Sequence, residues 1–83
     1  MTQFWADGLP ISASVDQDDR PTELVWHGRH RVKEWVDTWV VDDGWWHGRK
    51  HRTYYKLATE TGLLVIIFRN NVSGDWFLQR VYD

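Results

Sequence analysis

The chain has 83 residues, a formal net charge of −2 and no cysteine. That length holds one domain, and the lack of thiols excludes disulfides and thiolate metal sites. The near-balanced charge argues neither for nor against a nucleic-acid partner. A core this small needs reinforcement, and what the sequence offers is aromatic. Seven Trp, three Tyr and three Phe make up 16% of the chain, and each such side chain can bury ~150–250 Å². The N-terminus, MTQFWADGLPISASVD, has neither a basic start nor an apolar run of signal-peptide length. No stretch approaches the roughly 20 apolar residues of a membrane helix. A cytoplasmic location is the expectation.

Residues 1–10, with Gly8 and Pro10, read as a flexible N-terminal arm, and residues 11–83 as a single small β domain. Ile11, Ala13 and Val15 alternate with polar residues, a short strand pattern. Asp16 to Pro21 is a polar turn. Glu23 to Trp26 reads as a strand with Leu24 and Trp26 on one face, and Gly28 supplies the positive φ of a tight hairpin. Residues 30–41, HRVKEWVDTWVV, are ambiguous. Val32, Trp35, Val36, Trp39 and Val40 fit helical spacing, whereas the β-branched and aromatic content and the preceding hairpin signal favour a strand. A bulge near Glu34–Trp35 would give a long bent strand with Trp35 and Trp39 turned inward. A short amphipathic helix is the alternative.

Asp42-Asp43-Gly44 is a turn. Arg52 to Thr59 is a strand with Tyr55 and Leu57 on one face, and Thr59-Glu60-Thr61-Gly62 a four-residue hairpin. Leu63 to Phe68, an unbroken apolar run, suits a central strand covered on both faces. Asn70 to Asp75 is a turn, and Trp76 to Tyr82 the last strand. The expected fold is mainly all-β: a small antiparallel rolled sheet or SH3-like half-barrel of five to six strands. The alternative is α+β with a helix at 30–41.

Charge is uneven along the chain. Asp7, Asp16, Asp18, Asp19 and Glu23 face Arg20 alone in the first 23 residues. Residues 45–56, WWHGRKHRTYYK, carry Arg49, Lys50, Arg52 and Lys56 and no acid. Single strands of nucleic acid bind by stacking bases on aromatics inside a cationic groove. Trp45, Trp46 and Tyr54, with neighbouring Tyr55, interleave with those cations in that manner, and Arg29 and Arg31 extend the basic set. The plainer reading is a solvated hairpin tip whose aromatics are half core. An echo links WHGRHR at 26–31 to WHGRKHR at 46–52, read either as two similar tips or as one anion-binding rim. His27, His30, His47 and His51 are crowded by Arg and Lys, which disfavours a cation, so no metal is expected. With no nucleophile elbow, phosphate loop or dinucleotide fingerprint, neither an enzyme nor a cofactor is expected.

From Arg20 to Asp83 the chain resembles a family of small bacterial domains of unknown function. The residues that carry this are Arg20-Pro21-Thr22, Trp26-x-Gly28-Arg29, Val32, Trp39, Trp45-Trp46-x-Gly48, Tyr55, Gly62 and the ending Ser73-Gly74-Asp75-Trp76-Phe77-Leu78-Gln79-Arg80-Val81-Tyr82-Asp83. The stretch is also similar to the C-terminal tail of ImuB-type inactive Y-family DNA polymerase homologues, in its Trp45-Trp46 hairpin and its closing aromatic-rich strand ending in Tyr82-Asp83. The resemblance implies an accessory role in DNA repair. Two classes of partner follow: DNA, with single strands favoured, or a repair or replication protein. The chain itself is expected as a monomer or weak homo-oligomer.

Overall fold

Tyr55 and Leu57, Val65 and Ile67, and Trp76 and Leu78 each stand two residues apart, so on a strand each pair faces one side. The computed structural model describes residues 2–43 and 50–82, with only the backbone at Asp43, and it turns those pairs to a common interior. Six strands form: β1 (Gln3–Val15), β2 (Pro21–Val25), β3 (Arg29–Asp43), β4 (Lys50–Thr59), β5 (Leu64–Asn70) and β6 (Trp76–Tyr82). All neighbours are antiparallel and follow chain order around a closed barrel. The all-β antiparallel fold of six strands is as expected, its rolled sheet closing fully, and none of the described residues is helical. Closure depends on β1, which changes partner along its length. Gln3 to Ile11 pair with β6, and Ser12 to Val15 pair with β2.

The interior is built in register. Leu57, Val65 and Val81 form one row across β4, β5 and β6, and Tyr55, Ile67 and Leu78 the next. Leu24 of β2 joins them, and Trp5, Leu9, Ile11, Ala13, Trp26 and Val32 pack around the buried set. A second row lies on the outer side of the same strands. Trp39 pairs with Tyr54, Tyr54 with Phe68, and Phe68 with Phe77. Their ring centroids stand 5.4, 5.1 and 5.0 Å apart. Phe68 is 1% exposed although it points away from the barrel interior. The apolar run of β5 is thus covered on both faces at Ile67–Phe68, as its composition implied.

Two expectations change here. Residues 3–10, read as an arm, are strand. The chain can approach the outer aromatic row there because Gly8 has φ +85°, and a Cβ at that position would lie 2.7 Å from Phe68 Cζ and Phe77 Cβ. Residues 30–41 are strand as favoured, but with two irregularities, between Val32 and Glu34 and between Trp35 and Asp37. The first brings Trp35 opposite Leu57, on the inner side with Val32. The second moves Trp39 to the outer side, against Tyr54, and overturns its expected inward orientation.

Candidate interaction surface

β2 has five residues and β3 fifteen, so most of β3 outruns its neighbour. Their pairing covers only Val25↔Arg29, Leu24↔His30 and Glu23↔Arg31. The sequence supplies the reason. β2 starts at Pro21, which has no N–H to offer a ladder. Its carbonyl accepts instead from the indole of Trp35, Nε1 to O 2.9 Å, and the Arg20 guanidinium lies 5.0 Å from the Trp35 ring centre. Beyond Trp35, β3 pairs with β4 alone among the described residues.

Loss of a neighbour on one side uncovers side chains. Trp35 is 44% exposed, Val36 47%, Trp39 37% and Val40 58%. Trp39 lies parallel on Tyr54. Val40 stands opposite Thr53, and Thr38 opposite Tyr55, on the inner side of the hairpin where β2 no longer reaches. Thr38 Oγ1 donates to the Tyr54 carbonyl at 2.9 Å and pins the two strands together. Tyr55, half-buried beneath this opening, rests against Trp76 at 5.7 Å. Burial raises its phenol pKa above the ordinary value; Arg69 opposes that and Asp19 and Asp16 add to it. The Arg20 guanidinium, 5.0 Å from the Trp35 ring centre, brings the end of the β1–β2 turn to the Trp35 side of this opening. In that turn Asp16 Oδ1 accepts the Arg20 and Asp18 N–H groups at 3.0 and 2.9 Å. These bonds, the Arg20 N–H first, hold the Asp16 carboxyl below its usual value.

Those basic–aromatic residues expected to bind that the structure describes are dispersed. Trp45, Trp46 and Arg49 lie outside the described residues, as does His47. Lys50 is exposed at the start of β4. Tyr54 is buried between Trp39 and Phe68, so it is no free stacking platform. Arg52 covers the Phe68 ring at 4.3 Å and donates to the Tyr54 hydroxyl at 3.2 Å. Lys56 lies 5.2 Å from the Tyr82 ring. Arg52 thus roofs the outer aromatic row, and Lys56 covers Tyr82 beside it.

Arg29 and Arg31 are exposed and pair loosely, at 3.7 Å, with Glu23 and Glu60; such surface pairs contribute little. They sit beside the Thr59 end of β4, whereas Lys50 and Arg52 sit at its start. Nine residue steps of strand, roughly 30 Å at ~3.3 Å each, separate the two groups. The described part of the second echo, Lys50 to Arg52, therefore does not share a rim with Arg29 and Arg31. His30 belongs to the Arg29 end, where its nitrogens meet the Trp26 carbonyl and the Thr61 hydroxyl, both at 2.7 Å.

Sequence reasoning did not single out Trp35, Val36, Trp39 and Val40 as surface. The readable signal was the disparity between a short strand begun by Pro21 and the long apolar-rich stretch after it.

No known family matches the chain, and no solved structure does. An FAD-dependent monooxygenase of Alternaria brassicicola is 41% identical to it over 49 residues. The match takes in 59% of this chain and 8% of that protein, so the chain spans a small fraction of the relative's length.

Proposed function

We propose that this domain is a non-enzymatic protein-interaction module that docks its partner on the overhanging half of β3. The observation that carries this is the exposed set Trp35, Val36, Trp39 and Val40 on strand that, among the described residues, has a single strand neighbour. Trp35 and Val40 lie on the inner side and Trp39 on the outer, so exposed apolar surface flanks this strand on both sides; large exposed apolar side chains gathered in one region mark interaction surfaces, and Trp is prominent among residues that dominate interface energy. The partial likeness to the monooxygenase fits an accessory segment carried within a larger protein, as the match covers 8% of that protein. That enzyme's reaction is not proposed for this chain. The resemblance to polymerase-homologue tails points to a repair or replication protein as the partner.

The test is capture of partners from the native host by the wild-type domain and by a Val36→Lys, Val40→Lys variant whose fold is verified by circular dichroism. Specific loss of partners from the variant is expected. Identical partner lists would count against the surface.

A nucleic-acid reading keeps one specific support: exposed Lys50 and half-exposed Trp39 share the β3–β4 hairpin. Fluorescence anisotropy with single- and double-stranded DNA over a salt series decides it, because phosphate contacts weaken as salt rises. No binding at low salt, or binding indifferent to salt, removes that reading.

A further inference from the structure

We infer that Lys56, Arg80 and Tyr82 form a binding site for a phosphate monoester on the outer face of the barrel. The site is separate from the docking surface on β3, and neither depends on the other.

Register brings the three side chains together. Lys56 of β4 stands opposite Ile66 of β5, and Ile66 opposite Arg80 of β6, so the two cations flank one aliphatic side chain. Tyr82, two residues beyond Arg80 and opposite Leu64, lies on the same face. The Lys56 ammonium is 5.2 Å and the Arg80 Cζ 5.6 Å from the centre of the Tyr82 ring. Arg80 also contacts Phe4, its partner across the β1–β6 pairing, with Cζ 4.9 Å from that ring. Contacts with two rings restrict the guanidinium before any ligand arrives. All three residues are half-buried, so each keeps part of its surface open to a ligand.

What this cluster lacks is acceptors. Ion pairs among the described residues engage Arg20, Arg29 and Arg31, and neither Lys56 nor Arg80 has one there. Arg80 Nη1 donates to the Tyr82 hydroxyl at a long 3.4 Å, and Arg80 Nε is buried with no acceptor among the described residues. Buried donors in native proteins are nearly always satisfied, so this one marks a guanidinium short of partners. The carboxylates nearest in register are Asp37, opposite Lys56, and Glu34, opposite Ala58. Asp37 Oδ1 accepts the Thr38 N–H at 2.8 Å, and Glu34 is exposed. The other cations of β4 lie elsewhere: Arg52 on Phe68 and the Tyr54 hydroxyl, and Lys50 at the start of the strand.

The donors then choose the ligand. A guanidinium offers paired N–H groups that match two oxygens of one oxyanion. The Tyr82 oxygen accepts from Arg80, which leaves its own proton to donate to a further oxygen. Lys56 adds a second positive charge. Two cations and a third donor fit a group with three terminal oxygens and close to two negative charges, which a phosphate monoester carries near neutral pH. A carboxylate or a phosphodiester has fewer such oxygens and a single charge.

Amide NMR spectra of the nitrogen-labelled domain, titrated at neutral pH and constant ionic strength, test this with methyl phosphate, dimethyl phosphate and acetate. Methyl phosphate should shift the amides of Lys56, Ile66, Arg80 and Tyr82 saturably, and bind at least about tenfold more tightly than the other two. Lys56→Gln, and Arg80→Lys, which keeps the charge and removes the fork, should each weaken methyl phosphate by about fivefold or more with the rest of the spectrum unchanged. Equal affinity for all three ligands, or shifts spread equally to Arg29, Arg31 and Lys50, would show general ion association and overturn the site. So would Arg80→Lys binding as tightly as the wild type. Asp83, next to Tyr82, lies outside the described residues. Asp83→Asn should leave the affinity within about twofold, as a group outside the site does. A gain of about tenfold or more would mean that the chain's own carboxylate fills the site, and would overturn an external ligand.

Discussion

Gly8 and Gly28 both have positive φ, +85° and +111°, yet they differ in what surrounds them. A Cβ at Gly28 meets nothing within 4 Å, whereas one at Gly8 runs into Phe68 and Phe77. Gly28→Ala should therefore cost only the backbone penalty of a left-handed residue, about 1 kcal/mol. Gly8→Ala adds overpacking against two rings and should cost ~2–4 kcal/mol. Urea unfolding of the two variants measures the difference directly. The sequence shows both glycines equally well; it does not show that one of them lies on an aromatic row formed by residues sixty and more positions away. Tyr55 adds a pH dependence. Its raised folded value, caused first by burial, means that the unfolded chain gives up this proton more readily. Stability is unaffected by Tyr55 below the ordinary value of 10.0 and falls as pH rises from there through the folded value. Tyr55→Phe should flatten that alkaline loss in denaturation midpoints taken between neutral and strongly alkaline pH. Asp16 works in the opposite direction: its lowered value favours the fold above 3.8 and that contribution disappears as pH falls through the folded value.

Within the elements, β3 shows why the sequence reading divided between helix and strand. Each irregularity inserts one residue, so the inner positions run Val32, Trp35, Thr38, Val40. Spacings of three where a plain strand has two imitate helical periodicity. One bulge was legible from the chain; the second was not, because only the register with Leu57 and Lys56 reveals it. The strands from Arg52 onward were legible because nothing interrupts the alternation of Tyr55 and Leu57, and because Gly62 and Gly74 mark their turns. The site was less legible: Tyr54 and Arg52 look like binding residues in one dimension, and pairing across β4, β5 and β6 turns them into part of an aromatic row and its cover, while Lys56 lies over Tyr82. Where β3 leaves β2, the Trp35 indole satisfies the carbonyl of the buried Pro21. Trp35→Phe retains most of the ring and deletes the donor, and should destabilise the domain by ~1–3 kcal/mol. Val40→Thr, at a position already 58% exposed, should stay within about 0.5 kcal/mol. Chemical denaturation of both variants shows whether the strand is anchored at Trp35 or along its whole length.

For the whole molecule, the decisive step is closure, and closure was the least legible part of the fold. The meander of β4, β5 and β6 follows from local turns, but a barrel also needs its first strand to reach its last. Gly8 and Pro10 suggested a loose arm, since a positive φ and a missing N–H weaken a strand read in isolation. In the barrel both features are accommodated: Gly8 provides close approach to Phe68 and Phe77, and Pro10 stands opposite Phe77. Closure also extends the aromatic contacts. Phe4 pairs with Arg80, whose guanidinium lies 4.9 Å from its ring, and Trp5 meets Trp26 edge to face at 6.1 Å. Deleting Thr2 to Gly8 is the direct test, because an arm and a closing strand predict different results. Removal of an arm leaves the melting temperature unchanged. Removal of a closing strand takes Trp5 away from the core and, with Gly8, uncovers Phe68 and Phe77. Exposure of one large apolar side chain costs about 1.5–3 kcal/mol, so a loss of at least ~3 kcal/mol is expected from several. For a domain of this size each kcal/mol shifts the midpoint by roughly 4–8 °C. The truncated chain should melt at least about 12 °C lower, or be unfolded at room temperature, with tryptophan emission shifted to the red. An unchanged midpoint would mean that β2 to β6 hold together without β1's first half, and that the pairing with β6 contributes little to stability.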